Sequence, residues 1–261
     1  MQFAANLSML FSAQTPFEER CRAVAKQQFK AVEILFPYAA PIESYVHPLQ
    51  QHGLEAILIN TPNEAGEFGY AALPGKEQAF QSAFDIALEV GQALGVKAIH
   101  VMGGNLTTGA TKGWEKTLYN NMSKALRQVQ GTGIMLQLEA LNRIDVPQYA
   151  YSDPLELLPI IKELDHPQVG LQFDFYHTLM EGYDLLKTLE QCLPYISHVQ
   201  IACPSGRHEP DFSQYPVLLE GLNFLANVGY QGWVGLEYSP QETFEESLGF
   251  LQSFTKQSTT R

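Results

Sequence analysis

Short apolar runs alternate with helix-period stretches from one end of this chain to the other, and the alternation repeats eight times. A run of four to eight apolar residues bounded by turn signals reads as a buried strand, and apolar residues at 3.6 spacing read as an amphipathic helix. The predicted strands are Gln2–Leu7, Ala31–Leu35, Leu54–Asn60, Lys97–Met102, a fifth opening at Ile134, Val169–His177, Ile196–Ala202 and Trp233–Pro240. The intervening helices are predicted near 16–28, 42–51, 76–94, 114–130, from Asp153-Pro154 onward, 184–193, 215–228 and 244–254. Asp153-Pro154 pairs an N-cap with proline at the first helical position. Gly53, Gly95 and Gly229 stand where helices should stop.

Eight βα units in 261 residues predict a single-domain (β/α)8 TIM barrel spanning 1–261, with a frayed tail over 255–261. An open doubly wound sheet would carry a Gly-rich turn after the first strand, yet NLSMLFSAQTP (6–16) contains no glycine. Gly103-Gly104 with Gly109 matches neither a dinucleotide nor a P-loop pattern. The loop 61–75 is long enough to carry function.

With 45% hydrophobic residues the chain can bury a large core, and its net charge of −12 disfavours nucleic acid and anionic membrane surfaces as partners. No run reaches the roughly 18 apolar residues of a transmembrane helix. The N-terminus lacks the basic segment of a signal peptide. Cys21, Cys192 and Cys203 show no CxxC spacing, which fits a reducing cytoplasm. A homo-oligomer is compatible with the sequence, which leaves assembly open.

Four polar residues interrupt the last four strand runs near their C-terminal ends: Glu139, Asp174, Gln200 and Glu237. A buried charge is costly unless paired, and no Arg or Lys lies in these runs to pair with three carboxylates. In a barrel the strand C-termini carry the chemistry, and neighbouring strands lie about 4.8 Å apart. The four side chains can therefore converge on one ion. Three carboxylates and an amide oxygen suit a hard divalent cation such as Mg²⁺ or Mn²⁺.

Several stretches resemble the hydroxypyruvate isomerase family, within the xylose isomerase-like sugar isomerase and epimerase barrels. They are FAANLSMLF (3–11), VEILFPY (32–38), LPG (73–75), LEALNRIDVP (138–147), QFDFYH (172–177), HVQIA (198–202) with Arg207, and GWVGLEYSPQ (232–241). The resemblance implies metal ligation by Glu139, Asp174, Gln200 and Glu237. It implies proton transfer by Glu139 and Glu237, and contact of His177 and Arg207 with substrate oxygens. It implies an isomerase of a small hydroxy-oxo acid, of the hydroxypyruvate/tartronate semialdehyde or 2-oxo-tetronate type. Arg207, a planar fork suited to a carboxylate, points the same way.

The alternatives are a ketose 3-epimerase on the same metal site, an endonuclease IV-like phosphodiesterase, and a catalytically retired barrel that binds sugar acids. Asn142 and Asp145 are expected to orient Glu139 or bind substrate. Glu33 either contacts substrate or caps the barrel. His198, two residues before Gln200, should face the same side one layer deeper. His100 is ambiguous, Cys203 is a candidate lining residue, and Phe11, Phe36 and Tyr38 are candidates for the pocket wall. The chain departs from the family it resembles at Ile59, at the GEFG loop (66–69) and at Asn105, three positions read as facing substrate.

Overall fold

A computed structural model describes residues 1–64, 66–106 and 112–258. Eight parallel strands close in chain order into a barrel. They are β1 (Gln2–Asn6), β2 (Ala31–Glu33), β3 (Glu55–Asn60), β4 (Ala98–His100), β5 (Met135–Glu139), β6 (Val169–Asp174), β7 (Ile196–Ile201) and β8 (Trp233–Leu236). Helices α1 (Phe17–Lys26), α2 (Glu43–His52), α3 (Glu77–Leu94), α4 (Trp114–Val129) and α5 (Pro154–Leu164) follow the first five strands in turn. After β6 come α6 (Phe175–Met180) and α7 (Leu185–Cys192). After β7 comes α8 (Pro216–Asn227), and after β8 come α9 (Phe244–Ser247) and α10 (Gly249–Ser258).

Two sequence expectations need correction. The run ending at His177 is not one strand: Asp174 Oδ1 accepts from the Tyr176 amide at 2.7 Å, and this N-cap starts α6 immediately after β6. The last helix is two pieces. A capping box between Thr243 and Glu246 starts α9, Leu248 ends it, and α10 then runs over Gly249–Ser258. Residues 259–261, and Gly109 in the loop after β4, lie outside the described residues.

Outward-facing strand residues pack under the helices in one large cluster that includes Ile59, Phe84, Leu118, Leu136, Leu171, Leu222 and Leu236. Each such side chain contributes about 1.5–3 kcal/mol on burial. The inside of the barrel differs. A small plug of Ala4, Ala31, Ile57, Leu58 and Ala98, with Met135 and Trp233 against it, fills the N-terminal end. Above it the buried interior positions are polar, including Asn6, Glu33, His100, Gln137, Gln172, His198 and Gln200. Barrels are usually filled with branched aliphatic residues here, so this interior is organised around something other than packing.

The loops after β3 and β4 are joined. Gly69 pairs with Gly103, and a Cβ on Gly69 would lie 2.3 Å from the Met102 carbonyl oxygen, so glycine alone permits the approach. Asn105 Nδ2 donates to the Gly66 carbonyl at 2.8 Å. Among the described residues, no helix is long and apolar enough to cross a membrane. All three cysteines are buried and free.

Candidate metal and isomerase site

Glu139, Asp174 and Glu237 are carried to one place by the ends of β5, β6 and β8, and His177 joins them from α6. One ligand atom from each lies within 4.8 Å of the others, and all four residues are buried. Register brings Gln200 beside Asp174 across β6 and β7. Four sequence-predicted ligands thus stand on neighbouring strand ends. From the sequence Asp174 reads only as a ligand, but its two oxygens have separate tasks. Oδ1 caps α6, and Oδ2 is buried with no hydrogen-bond partner. Glu139 Oε1 is likewise buried and unpartnered.

Burial, with Glu237 and Asp174 close by, pushes the Glu139 carboxyl well above the usual range. Burial also raises Glu237 to about 8 and Asp174 to about 6, in each case against the opposing pull of Arg207. Arg207 is the one guanidinium at the cluster among the described residues. Its Nη2 lies 2.5 Å from Glu237 Oε2 and 3.7 Å from Asp174 Oδ2, and its plane sits over the Tyr176 ring at 4.6 Å. Burial opposes the charge on Arg207, but Glu237, Asp174 and Glu139 together keep it protonated. One cation for three carboxylates leaves a deficit, and two carboxylate oxygens are orphaned within it. The donor set fits a divalent cation.

His177 belongs to this cluster but presents the wrong atom for a ligand. Its Nδ1 accepts from the Asn142 backbone N–H at 3.1 Å and lies 2.7 Å from the Asn142 side-chain nitrogen. Burial, Arg207 and His100 hold the ring neutral. A neutral imidazole with Nδ1 as acceptor carries its proton on Nε2. Nε2 is the nitrogen that faces the site, 3.9 Å from Glu139 Oε1 and 3.7 Å from Asp174 Oδ2. It is a donor aimed into the cavity, so the oxygen donors at these strand ends are those of Glu139, Asp174, Glu237 and Gln200. The placement follows from α6: residues three apart share a helix face, so His177 turns back over Asp174.

The other candidates divide. Asn142 is fully buried and orients His177 and Asp145 rather than Glu139; its Nδ2 donates to Asp145 Oδ2 at 3.0 Å. Asp145 also accepts from the Tyr176 hydroxyl at 2.7 Å. Glu33 meets neither substrate cavity nor barrel rim. It is fully buried one layer down, where Asn6, His198 and Gln200 surround its carboxylate. His198 lies one layer deeper, as expected from period two. His100 lines the cavity with Nδ1 3.2 Å from Glu139 Oε2, and burial, then His198, lower it to about 3, so it is neutral. Gln172, not singled out from the sequence, donates from Nε2 to Glu139 Oε2 at 2.8 Å and to Gln200 Oε1 at 2.7 Å. The signal was available: Gln172 precedes Asp174 by two residues in the same strand.

The cavity above these groups measures about 280 Å³. Glu139, His100, His177, Arg207, Glu237, Asn60 and Asp145 line it on the polar side; Leu35, Phe36, Phe68, Met102, Leu141 and Val146 form the apolar side. Phe68 and Arg207 both hold φ near +52°, a left-handed conformation uncommon for such residues, and both face the cavity. Phe11 packs on Phe244 instead, the Tyr38 hydroxyl donates to the Asn60 carbonyl, and Cys203 lies outside the lining. Ile59 is also a correction. It is fully buried and faces Gly91 of α3, since it alternates with Asn60, which lines the cavity. Asn105 ties down the Gly66 loop and is not in the lining.

The family model for xylose isomerase-like TIM barrels matches residues 21–254. The chain is 35% identical to a 2-oxo-tetronate isomerase of Pectobacterium atrosepticum over 96% of its own length and 97% of that protein. It is 34% identical to a hydroxypyruvate isomerase of Escherichia coli, covering 97% and 99%. A solved structure from Brucella melitensis, named as an AP endonuclease of family 2, superposes with a TM-score of 0.88 at 38% identity, covering 97% and 98%. The chain belongs to the xylose isomerase-like TIM barrel family, within its hydroxypyruvate isomerase group.

Proposed function

We propose that this protein is a divalent-cation-dependent isomerase of small hydroxy-oxo acids, of the hydroxypyruvate/tartronate semialdehyde or 2-oxo-tetronate type. The observation that carries the reading is the cluster of three buried carboxylates beside a neutral histidine and an arginine, with two carboxylate oxygens unpartnered. Glu139, Asp174, Gln200 and Glu237 would hold the cation. When bound it supplies Lewis acidity for the substrate's oxygens and a charge that keeps the carboxylates ionised.

The chain's own groups then divide the work. Glu139 and Glu237 flank the site, one on each side of the substrate; the carboxylate that takes the proton beside the carbonyl then gives it to the former carbonyl carbon, and the substrate's hydroxyl proton passes to the former carbonyl oxygen. His177 Nε2–H donates to the oxygen on which negative charge develops, and Asn142 keeps that proton on Nε2. Arg207, stacked on Tyr176 and anchored on Glu237, offers its remaining donors to a carboxylate. The apolar side of the cavity excludes water from the exchangeable proton. The net charge of −12 argues against DNA as the substrate, although the Brucella melitensis structure carries an endonuclease name.

The test is deuterium exchange at the substrate carbon with Mg²⁺ or Mn²⁺ added. Exchange is expected for wild type with hydroxypyruvate or a 2-oxo-tetronate and should vanish in Glu139→Gln and Glu237→Gln. Exchange that survives both changes would sink the mechanism. Inversion at C3 of a ketose, with no turnover of the acids, would favour the epimerase reading of the same carboxylates.

A further inference from the structure

Beneath the carboxylate cluster runs a continuous chain of buried hydrogen bonds that ends on Glu33. Its carboxylate accepts from Asn6 Nδ2 at 2.9 Å and from Gln200 Nε2 at 3.0 Å, and lies 2.5 Å from His198 Nε2. Glu33 is 0% exposed and comes from β2, whereas Gln200 and His198 belong to β7. The carboxylate therefore crosses the barrel interior past β8. The crossing is possible because position 235 in β8 is glycine: a Cβ there would lie 1.9 Å from Glu33 Oε1. Gly235 is also the register partner of Gln200, so the gap opens beside the amide that Glu33 holds.

An amide has two ends, and only the oxygen can ligate a cation. Glu33 Oε2 accepts from Gln200 Nε2, so the carboxylate takes up the nitrogen end of the Gln200 amide. The oxygen end then accepts from Gln172 Nε2, the same nitrogen that donates to Glu139 Oε2. Gln200 Oε1 and Glu139 Oε2 are thereby set on either side of one nitrogen, and Oε1 keeps a second lone pair.

We infer that Glu33, seated in the gap left by Gly235 and braced by Asn6 and His198, is a positioning residue that locks the Gln200 amide with its oxygen toward the cation site. The inference rests on the proposed cation. It gives the polar middle layer a purpose: a glutamine, unlike a carboxylate, can present the wrong atom, and the layer below prevents it.

The experiment is Mn²⁺ binding to the full chain, followed by electron paramagnetic resonance of free Mn²⁺, with thermal melting as the check on folding. Glu33→Leu removes the acceptor and should weaken Mn²⁺ binding by about 10–100-fold, as for other partners of metal ligands. Glu33→Gln keeps an acceptor for Gln200 without the charge and should stay near wild type. In a Gln200→Glu background both ends of residue 200 are oxygens, and the loss caused by Glu33→Leu should largely disappear. Should Glu33→Leu fail to fold, Gly235→Ala displaces the carboxylate at unchanged charge and should show the same loss. If Glu33→Gln weakens binding as much as Glu33→Leu, or if the loss persists in the Gln200→Glu background, the orienting role is overturned. A wild-type protein that binds no Mn²⁺ overturns the reading of the site itself, whereas wild-type binding untouched by Glu33→Leu overturns only the assignment to Glu33.

Discussion

Divalent cation binding should tighten steeply with pH, and the structure gives the size. The carboxyls that would receive the ion are held up by burial, Glu237 to about 8 and Asp174 to about 6, with Arg207 as the countering charge. A cation has to displace whatever protons they carry. At pH 6, about one Glu237 in a hundred is ionised and about half of Asp174; at pH 8, about half and nearly all. The product is a gain in affinity of roughly 100-fold over two pH units. Glu139, raised well above its usual range, acts in the same direction. Calorimetric titration of Mn²⁺ at pH 7 in two buffers of different ionisation enthalpy reads the proton count directly. Between one and two protons should leave per ion bound. A flat affinity between pH 6 and 8 with no proton release would refute the reasoning, because the ion would then not be entering among these carboxylates.

Four further outcomes follow from the same geometry. For the metal-free protein, a raised carboxyl pKa makes the folded state lose stability as pH climbs toward that pKa. His100 and His177, depressed by burial, are neutral in both states above about 6.5, so the melting temperature should fall from pH 6.5 to 8 and recover with Mn²⁺. Asp174→Asn keeps an oxygen for the α6 cap and should weaken Mn²⁺ binding at nearly unchanged stability, whereas Asp174→Ala should also lose about 1 kcal/mol in denaturant melts. Arg207→Lys removes the planar fork and the Tyr176 stack, so KM for acid substrates should rise more than kcat falls. Ile59→Val should cost about 0.5–1.5 kcal/mol in denaturant melts with KM unchanged, because the side chain packs on α3.

The barrel is legible because its signal is repetitive. Eight apolar runs separated by helical periods leave few closed alternatives, and strand ends need only be right within a residue or two for Glu139, Asp174 and Glu237 to converge. Where sequence and structure part, a local rule decides. Apolar residues continue past Asp174 to His177 and so extend the strand on paper; the cap that starts α6 and turns His177 inward depends on the Asx geometry at that step. Ile59 looks like a substrate-facing position until parity is applied: Asn60 beside it is the inward residue, so Ile59 points out. Glu33 has no visible partner in the sequence because its partners are far away; its link to His198 spans 165 residues. Long-range polar pairing has no periodic signature, and only the closed barrel brings β2, β7 and β8 around one carboxylate.

That difference bears on how such a barrel divides its labour. Packing is carried almost wholly by the layer between strands and helices, where Phe84, Leu118, Leu136 and Leu222 are completely buried. The interior contributes a small apolar plug and little else that is hydrophobic. A polar interior is tolerable only if its groups largely satisfy one another, since each unmet buried partner costs about 1–3 kcal/mol. From Asn6 through Glu33, Gln200 and Gln172 to Glu139 each side chain is bonded to the next, with Gln172 Oε1 left over. Both oxygens of Glu33, at the lower end, have partners, whereas the orphaned carboxylate oxygens, Glu139 Oε1 and Asp174 Oδ2, lie at the upper end. Carboxylate oxygen without a hydrogen bond is therefore concentrated where a cation would meet it. A network that pairs its buried charge below and leaves it open at the functional face both holds the ligands still and reserves their free lone pairs for the ion.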